Sequence, residues 1–87
     1  MTTIGGDIPA LESLSASFQR QSGMVNQLLT ELSSQLHATY WQGGRAERFR
    51  TEWESEYQPA LRNLEAALTD ASTHTSASAR RLEEAGG

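Results

Sequence analysis

Two pairs of polar residues have the spacing that enzymes and metal sites use. Glu52 and Glu56 stand one helical turn apart, and two carboxylates held in different environments can serve as general acid and general base. Asp70 and His74 have the same spacing and offer two metal ligands. A structural zinc site needs four Cys or His ligands, whereas this chain has no cysteine and only two histidines. We therefore predict no metal site and no cofactor.

Arginines are concentrated just after the middle of the chain. Arg45, Arg48 and Arg50 fall within six residues and could contact a phosphate. Glu52 and Glu54 follow two of them at a spacing that permits ion pairs, each worth about 0.2–0.5 kcal/mol on a helix surface. The whole chain lacks lysine and has a net charge of −4, whereas nucleic-acid binders depend on neutralising phosphates. We predict a solvated, self-compensated helix face and no nucleic-acid partner.

The elements that position these residues belong to one small domain, residues 1–87. Only 37% of the residues are apolar, and a chain of this size buries only about 60% of its unfolded surface. No disulfide can stabilise it, so we expect a partner chain to do so. Residues 1–7 lack the basic start and apolar stretch of a secretory signal, and no run of about 20 apolar residues occurs. We expect any export to use a route that reads no N-terminal signal peptide.

The first half of the chain predicts an amphipathic helix over about residues 8–40. Its apolar residues recur at helical spacing on one face; they are Ile8, Leu11, Leu14, Phe18, Val25, Leu28, Leu29, Leu32 and Leu36. Asp7 can cap the helix, and Pro9 falls in its first turn, where a missing N–H does no harm. Gly23 is the weak point, where we expect a bend or a close helix contact.

Two consecutive glycines then predict a reversal of the chain over residues 41–44, because glycine allows the positive φ of a tight turn. Apolar spacing resumes afterwards and predicts a second helix over about residues 45–83, in which Pro59 marks a kink. The stretch Thr69–Ala79 is rich in Ser and Thr, so we expect poor packing and fraying there. Both termini are expected to be disordered.

Two such antiparallel helices form a hairpin that encloses no cleft for catalysis. Leu28 and Leu29 are adjacent, which makes the apolar stripe of helix 1 wider than a two-helix seam needs. The surplus most simply packs on a second hairpin. The sequence therefore predicts an all-α, antiparallel two-helix hairpin that dimerises into a four-helix bundle. The predicted hairpin and dimer interface consists of Leu11, Leu14, Phe18, Val25, Leu28, Leu29, Leu32, Leu36, Phe49, Trp53, Tyr57, Leu61, Leu64 and Leu68.

Trp41 and Gly43 form a W-x-G motif at the expected turn. The residues that follow it are Phe49, Trp53 and the run Tyr57-x-Pro59-x-Leu61-x-x-Leu64-x-x-x-Leu68. In this arrangement the chain resembles, over about residues 11–68, the WXG family of small proteins that leave bacteria through the ESX or type VII secretion system. The resemblance implies a hairpin that pairs with itself or with a related WXG-type protein. It also implies that Trp41 and Gly43 belong to a two-component export signal.

One feature departs from the family pattern. The family's other export element is a Y-x-x-x-D/E motif soon after helix 2, but Tyr40 and Tyr57 are followed four residues later by Gly44 and Leu61. Either a partner supplies that element, or another signal is used, or this member is not exported by itself. We interpret the chain as a non-enzymatic type VII substrate, cytoplasmic before export and then secreted, that acts through protein–protein interaction and is recognised by the secretion ATPase or channel.

Two alternatives have different partners. A non-exported or co-exported adaptor or chaperone would escort a larger helical toxin or effector, and the missing tyrosine motif favours this interpretation. It predicts an obligate hetero-complex. A membrane-active effector is disfavoured, because the chain lacks lysine, has few arginines and carries a polar Ser/Thr-rich region. The sequence leaves open whether the pair is a homodimer or a heterodimer.

Overall fold

The chain folds into a long helical hairpin. The computed structural model describes residues 5–86, and the Cα atoms extend over 65 × 22 × 13 Å. Helix α1 is Ile8–Ala38, α2 is Gly44–Glu52 and α3 is Gln58–Glu84, while a π-helical turn, Trp53–Tyr57, joins α2 to α3. We call α2, the π turn and α3 together the second arm. The predicted all-α hairpin is confirmed.

Helix α1 is fixed at both ends by local chemistry. The Asp7 carboxylate accepts a hydrogen bond from the Ala10 N–H at 3.1 Å, which caps the first turn. Thr39 has extended backbone angles, so the helix ends at Ala38 rather than at residue 40. A Cβ added at Gly23 would meet no atom within 4 Å. The close helix contact expected at this glycine is therefore not formed, and α1 continues through it.

Hydroxyl side chains line the seam between α1 and α3. Ser15 and Ser72 each donate a hydrogen bond to the other's backbone carbonyl, at 2.8 and 2.9 Å. Ser22 lies 2.8 Å from the Thr69 hydroxyl and donates to the Glu65 carbonyl at 3.1 Å. Side chains this short reach the opposite backbone only where the helices lie close together. Within residues 5–86, Cα atoms of α1 and the second arm approach within 8 Å only along α3.

This seam corrects the expectation of poor packing and fraying over Thr69–Ala79. Helix α3 continues to Glu84, and Ala79 is only 2% exposed. The stretch packs well because small side chains let the backbones approach and the seam hydroxyls find partners across it. Ala85 and Gly86 were expected to be disordered with Gly87, but they form a hydrogen-bonded turn after the helix. The predicted disorder of residues 1–4 and 87 lies outside the described residues.

The second arm changes its hydrogen-bond pattern just before Pro59. The Gln58 N–H bonds to the Trp53 carbonyl, five residues back. Proline has no N–H, and in a regular α-helix its ring clashes with the carbonyl four residues earlier, here that of Ser55. The wider π turn accommodates the proline, so the helical path continues from α2 into α3. Where the sequence predicted a kink, the structure has this π turn.

Few side chains are buried in the single hairpin. The buried apolar residues are Leu29, Ala46 and Ala79, and the buried polar ones are Ser15, Ser22 and Ser72. Near the turn the arms are farther apart, and the half-buried Trp53 bridges them by donating from Nε1 to the Ser33 hydroxyl at 3.3 Å. The contact between the arms is therefore narrow, and most large apolar side chains remain at its rim.

Candidate assembly face and turn site

One side of the hairpin exposes large apolar side chains. Leu14, Leu28 and Leu32 of α1 are 44, 43 and 39% exposed, and Tyr57 and Leu64 of the second arm are 44 and 47% exposed. We call these five residues the apolar face. A single exposed leucine is ordinary on a protein surface, but several large apolar side chains exposed in one small hairpin mark an interaction site.

Leucines of both arms lie on the side of the hairpin opposite a polar groove. Asn26 of α1 and Thr73 of α3 both line this groove. At 100° per residue, Leu28 lies about 160° around α1 from Asn26, and Leu64 lies about 180° around α3 from Thr73. The hairpin as a whole is therefore amphipathic. None of its helices within residues 5–86 is long and apolar enough to cross a membrane.

The structure distributes the predicted interface residues between the seam and its rim. Leu29 alone among them is buried, and five form the exposed apolar face. The half-buried members are Leu11, Phe18, Val25, Leu36, Phe49, Trp53, Leu61 and Leu68. Their contact with a second chain stays a prediction. Within the single hairpin, the half-buried side chains lie over the hydroxyl seam but do not form an enclosed hydrophobic core.

The W-x-G turn contains a backbone conformation that requires glycine and a partly exposed tryptophan side chain. Gly43 has φ +113° and ψ 174°, a combination that is essentially restricted to glycine. Its carbonyl accepts the Glu47 N–H at 3.1 Å, which starts α2. Trp41 is 39% exposed, and its ring centroid lies 5.7 Å from that of Phe49. Gly43 thus shapes the turn, and Trp41 is presented at the end of the hairpin.

Replacing Gly43 tests this backbone requirement. Gly43→Ala is expected to lower the free energy of unfolding by about 1–3 kcal/mol, because an L residue is strained at this φ and ψ. Gly44→Ala is the matched control: Gly44 is helical with nothing within 4 Å of an added Cβ, so its stability should be equal or higher. Urea denaturation followed by circular dichroism measures both. Equal stability of Gly43→Ala and the parent contradicts the requirement.

Arg50 fastens the turn to the second arm. Its guanidinium donates to the Trp41 carbonyl at 2.9 Å and to the Thr39 carbonyl at 3.5 Å. These charge-assisted bonds satisfy backbone acceptors of the segment that follows α1. The ion pair predicted between Arg50 and Glu54 is not formed, because the guanidinium points into the turn. Sequence spacing alone did not identify this role.

The remaining charged residues occupy open helix surface. Within residues 5–86 the one contact closer than 4 Å between an acidic and a basic side chain joins His74 to Asp70 at 3.7 Å, and both side chains are about three-quarters exposed. No third potential metal ligand joins them in this part of the chain. The predicted pair of Arg48 with Glu52 is not formed. Such an arrangement provides no enclosed acid–base pair.

Four aromatic residues continue the apolar face towards the turn. Trp41 lies against Phe49, Phe49 lies 5.9 Å from Tyr57, and Tyr57 lies 6.3 Å from Trp53, measured between ring centroids. We call these four the aromatic row. Phe49 and Trp53 line one groove together with Leu32. The aromatic row is therefore contiguous with the exposed leucines of α1.

Sequence reasoning missed two features of the hairpin, one on the apolar side and one in the seam. Met24 is 55% exposed and lies one turn before Leu28, which widens the apolar side. The seam serines were also overlooked, although their spacing held a signal. Ser15 and Ser22 are seven residues apart, as are Ser72 and Ala79. A seven-residue repeat of small side chains on two antiparallel helices is a pattern that allows close packing.

Comparisons with known proteins identify the family. A search of curated proteins and a search of solved structures each found no match. The WXG100 family, described as proteins of 100 residues with WXG, matches residues 4–86. Its members are small, non-enzymatic proteins associated with type VII secretion; they are typically secreted and generally pair with other WXG-type proteins. With its W-x-G turn between the two arms of a helical hairpin, this chain belongs to the WXG100 family.

Proposed function

We propose that this protein is a substrate of a type VII secretion system and that it assembles through its apolar face before export. The partner is a second copy or a related WXG-type chain, and the product is a four-helix bundle. The observation that carries the proposal is the exposure of Leu14, Leu28, Leu32 and Leu64 in a hairpin that buries only three apolar residues within residues 5–86. Because a fully buried leucine contributes about 1.5–3 kcal/mol, covering this face would stabilise the protein substantially.

The turn carries recognition in this proposal. Trp41 is exposed at the end of the hairpin, while the apolar face extends along its length, so a partner could cover the face and leave the indole accessible. Tryptophan is the residue type most enriched at binding hot spots. We infer that the secretion ATPase or channel engages Trp41 in the shape that Gly43 imposes. Folding and pairing then occur in the cytoplasm, and export follows.

The solution mass of the purified chain tests the assembly step. Light scattering on a sizing column should give about 19 kDa, twice the 9.5 kDa of one chain, with helical circular dichroism on the same sample. A folded monomer across micromolar concentrations contradicts assembly with a second copy. The heterodimer then requires a related WXG-type chain, identified by co-expression with the neighbouring reading frames.

An adaptor for a larger helical toxin or effector is the second candidate. It is favoured by one observation: neither Tyr40 nor Tyr57 is followed four residues later by an acidic residue. An adaptor should be unfolded or aggregated alone and should recover helicity and a defined mass only with its cargo. Export of the chain in the absence of any larger cargo contradicts this candidate.

A further inference from the structure

The π turn changes the rotational phase of the second arm by about one residue. Trp53 Nε1 and Gln58 Nε2 both donate to the Ser33 hydroxyl, at 3.3 and 3.1 Å. Two residues five apart differ by about 140° around a regular α-helix, which would direct their side chains to different faces. Both reach Ser33 here because the Gln58 N–H bonds five residues back, which widens the turn.

The burial of residues before and after this turn indicates that the extra residue keeps the two parts of the second arm in phase. Before it, Ala46 is completely buried; after it, the Glu65 carbonyl accepts from Ser22 in the seam. Ala46 and Glu65 are 19 residues apart, so an unbroken α-helix would place them about 100° apart, the rotation of one residue. Phe49 and Leu68 have the same separation. One residue taken up by the π turn brings each pair back into phase.

We propose that the π turn Trp53–Tyr57 is a positioning element for assembly, which joins Phe49, Trp53 and Tyr57 of the aromatic row to the leucines of α3 in one continuous partner-binding surface and leaves Trp41 outside it. A regular helix would rotate Phe49 and Trp53 away from that surface by about 100°. Pro59 favours the wide turn, since the ring disfavours α-helical bonding to the Ser55 carbonyl. This inference rests on the proposed assembly through the apolar face.

Removing one residue and the proline together tests the proposal. Deletion of Ser55 combined with Pro59→Ala leaves a regular α-helix with both halves in phase. Ser55 is exposed and its hydroxyl bonds only to the Thr51 carbonyl, at 2.8 Å, so no contact with α1 is lost. This variant should keep the parent's helicity and a dimer dissociation constant within about threefold of that of Pro59→Ala.

The opposite change is an alanine inserted after Ser55 in the Pro59→Ala background. It adds another rotation of about 100° and should raise the dissociation constant at least about tenfold, because aromatic anchors leave the surface. Loss of helicity or assembly in the deletion variant overturns the inference, as does parental affinity in the insertion variant.

Failure of assembly with a second copy is recognised separately, by a parent that runs as a folded monomer. For a monomeric parent, the effect of the second arm's rotational phase is measured by thermal unfolding of the variants. This is possible because Trp53 also contacts Ser33 within the hairpin. The deletion variant should unfold at the temperature of Pro59→Ala, and the insertion variant should unfold several degrees lower. Equal unfolding temperatures for the deletion and insertion variants overturn the phase correction itself.

Discussion

Leu28→Asp is expected to convert the assembled protein into a folded monomer. In the single hairpin the side chain is 43% exposed, so a carboxylate there is solvated and costs little beyond the lower helix propensity of aspartate. Under a partner, the same charge would be buried without a counter-charge, which costs several kcal/mol. A loss of about 3 kcal/mol corresponds to a dissociation constant raised roughly 150-fold. Light scattering should therefore report about half the parental mass with unchanged helicity.

Asn26→Asp is the matched control for this change. Asn26 lies two residues away on the same helix and lines the polar groove on the opposite side. It gains the same negative charge, so any general effect of charge on α1 appears in both variants. Parental mass is expected for Asn26→Asp. Should Leu28→Asp also retain the parental mass, the apolar face is not the interface.

The sequence predicted the elements of this fold because their apolar periodicity is strong. Leu14, Leu28 and Leu32 recur on one face of α1, and the structure has a helix there with those residues on one side. The paired glycines marked the reversal, and Gly43 has the positive φ that this requires. These features depend on local spacing and backbone chemistry, which a single sequence records.

The seam escaped prediction because its residues have little hydrophobic signal. Ser15, Ser22 and Ser72 read as polar surface in a helical pattern, yet all three are buried. Their burial depends on hydrogen bonds to the opposite helix, from partners 43 to 57 residues away in the chain. A periodicity within one helix contains no information about such pairs. The small volume of the serine side chains suggested weak packing, but it is what allows α1 and α3 to approach each other closely.

The π turn was missed although the spacing hinted at it. Phe49, Trp53, Tyr57 and Leu61 follow one another in three consecutive steps of four residues. Each such step drifts about 40° around a regular helix, so three of them accumulate about 120°. That drift is close to the rotation of one residue. If the four apolar residues are to stay on one face, the helix must change its pitch locally. Arg50 had no comparable signal, because its acceptors are backbone carbonyls of the turn.

Trp41→Ala is expected to reduce export strongly while leaving fold and assembly intact. The indole is 39% exposed and its closest aromatic neighbour is Phe49, at 5.7 Å between ring centroids. Losing that pair should lower the free energy of unfolding by only about 0.5–1.5 kcal/mol beyond the loss of buried area. Loss of a hot-spot tryptophan costs recognition about 2 kcal/mol or more, roughly 30-fold in affinity. Export is measured as the fraction of the protein found in the culture medium at equal cellular expression.

Tyr40→Ala separates recognition of the indole from a general need for an aromatic residue at the turn. Tyr40 is adjacent in sequence and 86% exposed, so its removal disturbs the hairpin no more than removal of Trp41 does. Export of Tyr40→Ala should remain near the parental fraction. Equal export of the parent and Trp41→Ala contradicts the assigned role of the turn. A collapse of helicity in Trp41→Ala would instead make Trp41 a structural residue. It would mean that the turn depends on the indole in addition to Gly43 and Arg50.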